Sequence, residues 1–311
     1  MVRLAGPRLL RRFGVERRVR TVLHALTCEN CGMLGEMTLK FDRHDLAAAR
    51  QIRGLNLHDD WPTTARDLAD IDDCAEGKIE DVCNLYSNTT ASDAMRQLFQ
   101  IDASNDRLGN AEPRPAIFPK KPAPVVRLDE DGNRELIEMS WGFLTPNFSK
   151  KTGKPILPQA WNNARDDKLQ KSGLWSASFR ERRCLIPASS FNETKGRQPA
   201  TDYWFALSAD RPADRPPFAI AGLWRREQKE LRAQSTHELT HTMVTTEANE
   251  LVRPIHARGR MPVILDPSDY ETWLTGTPDQ ALALLRPYPA AGMRIVLQGV
   301  GVKADPILDD T

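Results

Sequence analysis

The chain has 311 residues, 40% hydrophobic and 27% charged, with 43 Lys+Arg against 42 Asp+Glu for a net charge of +1. That length suits one large domain or two smaller ones, and the near-neutral balance excludes a protein that coats nucleic acid through bulk charge. No run approaches the roughly 18 apolar residues of a membrane span, and five cysteines make no dense disulfide framework in a chain this long, so a reducing, cytoplasmic setting is expected.

Residues 1–82 are poorly patterned. The first twenty carry seven Arg and one acidic residue but lack the apolar run of a secretory signal, while 59–81 is mostly acidic. Patches such as DLAAARQI suit a helix, yet no sustained stripe or alternation links them into a core. Cys28 and Cys31 form a C-x-x-C pair, but a zinc site needs a second pair, and only Cys74 and scattered histidines are on offer. Unrelated thiols are the preferred reading.

From Cys83 the texture changes. A short extended start (CNLYSN) leads to a helical stretch, ASDAMRQLFQI, and then to NAEPRPAIFPKKPAPVVRL, whose proline density excludes regular helix and reads as a loop. ELIEMSWGF is a strand after the DEDGN turn, and RRCLIPASSF, YWFALS, FAIAGLW and THTMVTT are further short apolar or β-branched runs bounded by turn residues. Asp266 is expected to cap a helix with Pro267 at its first position (DPSDYETWL), and PDQALALL reads as another. Strands outnumber helices without alternating with them. That pattern predicts an α+β fold, a mostly antiparallel, barrel-like sheet with flanking short helices. Of the charged residues, 30 Lys+Arg and 28 Asp+Glu fall in 83–311, so nucleic acid would have to be met by a local basic groove.

His237-Glu-Leu-Thr-His241 spells the zinc-protease pattern H-E-x-x-H. On a helix the two histidines would share a face, but the residues that follow are β-branched. On a strand four residues span roughly 13 Å, too far for one zinc ion. With no third ligand at a fixed offset, no metal is assigned.

Five segments, taken together, carry a resemblance. They are Cys83-Asn-Leu-Tyr-Ser, Met139-Ser-Trp-Gly-Phe, Asn163-Ala-Arg, Arg183-Cys-Leu-Ile-Pro through Phe191-Asn-Glu193, and Thr245-Thr-Glu-Ala-Asn-Glu-Leu through Ile255-His256 to Arg260-Met-Pro. In this order over 83–311 they resemble the SOS response-associated peptidase family of abasic-site processing proteins. The resemblance implies a single-stranded DNA partner containing abasic sites, a role in the DNA-damage response, no cofactor, and covalent capture of the lesion by an N-terminal cysteine.

The chemistry is intelligible by itself. A deoxyribose that has lost its base equilibrates with an open-chain aldehyde, and an N-terminal cysteine offers an amine and a thiol on adjacent carbons. The amine forms an imine and the thiol closes on it to a five-membered thiazolidine. An α-amino group, with a pKa near ~7.7–8.0, is far more often uncharged at neutral pH than a lysine near ~10.4.

The resemblance assigns Cys83 as nucleophile, Glu193 to ring opening and proton transfer, His256 as a proton shuttle to the sugar oxygen, and Asn163 to holding the cysteine amine or the sugar. Trp141 is the candidate for stacking on a base, and Arg165, Arg182, Arg183, Arg258 and Arg260 for meeting phosphates. Two departures stand out. Relatives carry a basic residue where this chain has Leu85, and the stretch between His256 and Met261 is longer than usual, so either Arg258 or Arg260 could face the phosphate. Cys184 reads as a buried packing thiol.

In the family the cysteine follows the initiator methionine, whereas here it follows Val82. Three explanations stand. Val82 is the true initiator, since a GTG codon reads as methionine at a bacterial start; or residues 1–82 are cleaved away; or they are retained. The domain division is accordingly an extension at 1–82 and a catalytic domain at 83–311. Two other functions remain open: a thiol autopeptidase using Cys83, and a non-covalent single-stranded DNA-binding module if the extension is kept.

Overall fold

The computed structural model describes residues 83–305 apart from 198, 229–230 and 232–237. The expected extension at 1–82, with Cys28, Cys31 and Cys74, lies outside the described residues, as does His237. Among the described residues, 83–145 and 158–305 belong to one compact unit, and Pro146–Leu157 to a second.

From Cys83 the chain enters β1 (Tyr86–Asn88), turns into α1 (Ser92–Phe99), and returns through β2 (Arg114–Ile117), β3 (Pro122–Leu128) and β4 (Arg134–Trp141). The hairpin β5 (Phe143–Phe148) and β6 (Pro155–Trp161) and the short β7 (Asn163–Arg165) precede α2 (Ser176–Glu181). Then come β8 (Arg183–Ala188), β9 (Ser190–Lys195), β10 (Thr201–Leu207), β11 (Phe218–Arg226) and β12 (Leu239–Glu247). The chain finishes with β13 (Arg260–Pro262), β14 (Ile264–Leu265), α3 (Tyr270–Thr275), α4 (Pro278–Ala283) and β15 (Met293–Val300). At the tip of the β5–β6 hairpin the Ser149 N–H donates to Lys154 O and the Gly153 N–H to Ser149 O.

The larger sheet closes on itself. Strands β4, β3, β8, β11 and β12 pair in a circuit, because β12 hydrogen-bonds both β11 and β4. Most pairings are antiparallel, with β12 parallel to β4 and β7. A second sheet runs β15-β10-β9-β1-β2. The expected barrel-like α+β architecture is what forms. Inside it Val126, Leu136, Leu185, Leu223 and Val244 pack with Phe143, Trp175, Phe179 and Trp273. A separate cluster of Tyr86, Trp141, Ile186, Phe191, Phe205 and Met243 includes Cys83. Full burial of each such side chain contributes about 1.5–3 kcal/mol, so the cysteine sits on a stiff base.

Two local expectations need correction. The proline-rich stretch is two strands and a tight turn, not a loop. Hydrogen bonds from Trp141 N–H to Lys121 O and from Asp129 N–H to Asn133 O put the odd positions of β3 in phase with β4. Pro122 and Pro124 therefore turn away from β4, and β3 meets β8 only later, at Val126 opposite Leu185. The missing N–H groups cost no ladder bond. Asp266 does not cap a helix through its side chain; Pro267–Asp269 form a 3₁₀ turn that leads into α3. The capping box belongs to α4, where Thr277 and Gln280 exchange side-chain and backbone bonds.

His241 lies on β12, fully buried and stacked on Trp141 at 6.4 Å between ring centroids. Burial pulls its pKa down to about 3, so it packs as a neutral ring.

Candidate active site

The segment before β1 lies alongside β9. The Asn192 N–H donates to Leu85 O at 2.9 Å, and Tyr86 pairs with Phe191. Because strand side chains alternate, Phe191 and Glu193 share a face; Phe191 packs into the cluster that contains Cys83. The partners of Cys83 come from β7 and the residue before it. Asn163 Nδ2 donates to Cys83 O at 3.0 Å, and Asn162 Nδ2 to the same oxygen at 3.4 Å and to Asn84 Oδ1 at 2.6 Å.

His256 sits in the turn between β12 and β13. Its Nδ1 accepts the backbone N–H groups of Arg258 at 3.0 Å and Arg260 at 3.2 Å. The neutral ring therefore carries its proton on Nε2, which lies 3.6 Å from Glu193 Oε2. The longer His256–Met261 stretch thus fixes the histidine tautomer. Cys83, Asn163, Glu193 and His256 converge on one place, and Cys83, Glu193 and His256 are all buried.

Burial pushes the Cys83 thiol well above its ordinary pKa, and the Glu193 carboxylate adds to this by repelling the thiolate and hydrogen-bonding the thiol. The sulfur lies 3.8 Å from Asn192 O and 3.9 Å from Leu85 O, partners suited to S–H rather than to an anion. The thiol is thus held as a thiol. Alkylation of Cys83, followed by peptide mapping across pH, is expected to have its midpoint above 9.0, the ordinary cysteine value. Glu193→Gln should move that midpoint down without restoring a free-cysteine value, since burial is the larger cause. A wild-type midpoint near neutrality would contradict the geometry.

Glu193 and His256 open onto a cleft of about 870 Å³, also lined by Asn84, Leu85, Asn162, Asn192, Phe118 and Pro119. Its cations are Lys120, Arg197 and Lys303, with Lys303 Nζ 2.5 Å from the buried Asp202. None of the five arginines singled out in the sequence lines it.

Those arginines divide by environment. Arg165 is exposed on β7 and pairs with Asp167 at 2.9 Å; Arg182 pairs with Glu181 at 3.0 Å; Arg258 is exposed in the turn after His256. Arg260 is mostly buried and bound to Asp166 at 2.7 Å and to Thr245 O. Arg183 corrects the expectation of a phosphate contact. It is buried and donates to the carbonyls of Phe179, Trp273 and Gly276, tying the ends of α2 and α3 to β8.

Trp141 is the second correction. It has no exposed surface, so no face is available to a base. Its indole packs edge-on against Tyr86 at 5.0 Å, and Nε1 donates to Asn162 O at 2.8 Å. It acts one step behind the site by holding the backbone of the asparagine pair. Asn84, Asn162, Phe118, Lys120, Arg197 and Lys303 are not among the residues the sequence singles out for the site, although Asn84 lies in the Cys83 segment and Asn162 adjoins Asn163.

The SOS response associated peptidase (SRAP) family model matches residues 82–301. The chain is similar to abasic site processing protein YoaM of Bacillus subtilis, 29% identical over 220 residues, covering 68% of this chain and 88% of that protein. It is equally similar to abasic site processing protein YoqW of the same organism, 29% over 217 residues, covering 68% and 90%. A crystal structure from Bordetella bronchiseptica matches at a TM-score of 0.54 with 25% identity, covering 70% of this chain and 99% of that one. A phage-related protein of that organism shares the fold at a TM-score of 0.51 and 19% identity, covering 71% and 94%. No helix among the described residues is long and apolar enough to cross a membrane.

Proposed function

Since the chain belongs to the SOS response associated peptidase family, we propose that it captures abasic sites in single-stranded DNA as a thiazolidine on Cys83, as part of a cytoplasmic DNA-damage response. The observation that carries this reading is the convergence of buried Cys83 and its partner Asn163 with Glu193 and His256, the last two opening onto a cation-lined cleft. The relatives named abasic site processing proteins support the substrate.

The steps follow from the residues. The His256–Glu193 pair moves a proton to open the sugar ring and expose the aldehyde. The Cys83 α-amine adds to that carbon, and loss of one water leaves the imine. The neutral thiol then adds across the C=N bond, its proton passing to nitrogen through Glu193, and closes the ring. Asn163 Oδ1 is buried and has no hydrogen-bond partner among the described residues, which makes it the acceptor available to the amine. A thiol kept protonated is a poor nucleophile toward a peptide carbonyl, so the structure adds nothing in favour of the autopeptidase reading.

The mechanism requires a chain that begins at Cys83, because an amide nitrogen after Val82 cannot form the imine. Mixed with an abasic single-stranded oligonucleotide, such a chain is expected to give an adduct that survives denaturing electrophoresis. Cys83→Ala should give none while retaining salt-sensitive, non-covalent binding. A stable adduct from Cys83→Ala would remove the thiazolidine.

A further inference from the structure

We propose that the turn joining β2 to β3 reads the strand beside the lesion, with Phe118 stacking on the neighbouring base and Lys120 meeting its phosphate; this rests on the abasic-site reading above. The turn has a definite geometry. The Lys121 N–H donates to Phe118 O at 3.1 Å, Pro119 takes the second position, and Lys120 takes the third with φ 67°. This is a type II turn, whose third position demands positive φ and defaults to glycine because a side chain there is strained. One other non-glycine residue among the described residues has positive φ: Gln100, the left-handed cap that ends α1. Lys120 ends no helix. A lysine kept where glycine is the favoured residue, at the rim of a cleft, points to a use for its charge.

Phe118 supplies the second observation. It is 42% exposed and lines the same cleft as Lys120, Glu193 and His256. An aromatic face next to a cation is the pairing that grips single-stranded nucleic acid without regard to sequence, since every base has a π-face. The turn is also rigid. The Lys120 N–H donates to Trp141 O at 2.7 Å and the Trp141 N–H to Lys121 O at 3.0 Å. Trp141 in turn bonds Asn162 O, and Asn162 bonds Cys83 O. One buried tryptophan therefore fixes both the turn and the residue that holds the cysteine. The stacking residue expected at Trp141 is supplied instead by Phe118, in the turn whose Lys120 and Lys121 bond the Trp141 backbone.

The test uses the chain beginning at Cys83 and two single-stranded oligonucleotides. One has an abasic site between purines; the other has abasic sites at the flanking positions as well. Phe118→Ala is expected to weaken binding about 5- to 150-fold on the first, the worth of one stacked base, and to have little effect on the second. Lys120→Gly is expected to raise the melting temperature by relieving the positive φ. It should also weaken binding and reduce the slope of log K against log salt by about 0.7, one phosphate contact. Both variants binding like wild type, while wild type binds and cross-links, would overturn this inference alone. Wild type binding neither oligonucleotide would overturn the abasic-site reading with it.

Discussion

Glu193→Gln is expected to slow adduct formation by about 10²- to 10⁴-fold, the usual worth of a positioned proton-transfer group, while affinity for abasic DNA stays within a few-fold. The substitution keeps the shape of the side chain and removes its ability to take and return a proton 3.6 Å from His256 Nε2. It also removes the negative charge that holds the Cys83 thiol up, so thiolate becomes more available. The two consequences oppose each other in rate. If thiolate attack were limiting, Glu193→Gln would be faster than wild type. If proton transfer in ring opening and imine formation is limiting, it is slower. Single-turnover kinetics by denaturing electrophoresis read the sign directly, and a faster variant would remove Glu193 from its assigned role.

Arg183→Met should lower stability by about 2–4 kcal/mol, from carbonyls that lose their donor and a guanidinium that loses its packing. For a domain of this size that is roughly 5–15 °C in melting temperature. The guanidinium bonds backbone carbonyls near the ends of α2 and α3 and lies 5.9 Å from the ring centroids of both Phe179 and Trp273. A cation at a helix C-terminus also complements the helix dipole. The folded variant should bind DNA with unchanged affinity and unchanged salt slope. Loss of affinity at unchanged melting temperature would return Arg183 to the DNA surface.

The proposed catalytic residues were legible through the family resemblance, because each sits in a short segment that carries it. Cys83 opens its segment, Glu193 follows a strand-forming FN, and His256 follows Pro254-Ile255, so each could be aligned before any distance was known. The barrel was legible from short β-branched runs without intervening helices, although its closure depends on β12 pairing with β4, about a hundred residues earlier. The residues proposed to face DNA were harder to read. A Trp or Arg looks alike in sequence whether it is buried or exposed, and Trp141 and Arg183 are held inside by hydrogen bonds to distant carbonyls. Conversely, Phe118 and Lys120 sat in a stretch whose prolines suggested a loop. Those prolines are tolerated only because of the pairing phase of β3, a property of the partner strand. Lys303 reaches the cleft from the far end of the chain, and no local pattern foretells it.

The most direct measurement of the central claim is the mass of the cross-linked product after digestion, with the position of attachment mapped by fragmentation. The expected product is an adduct lighter by one water than the sum of its parts, located on Cys83, with both amine and thiol consumed and no sensitivity to borohydride. Attachment to a lysine, or an equally stable adduct on a chain that retains Val82, would contradict it.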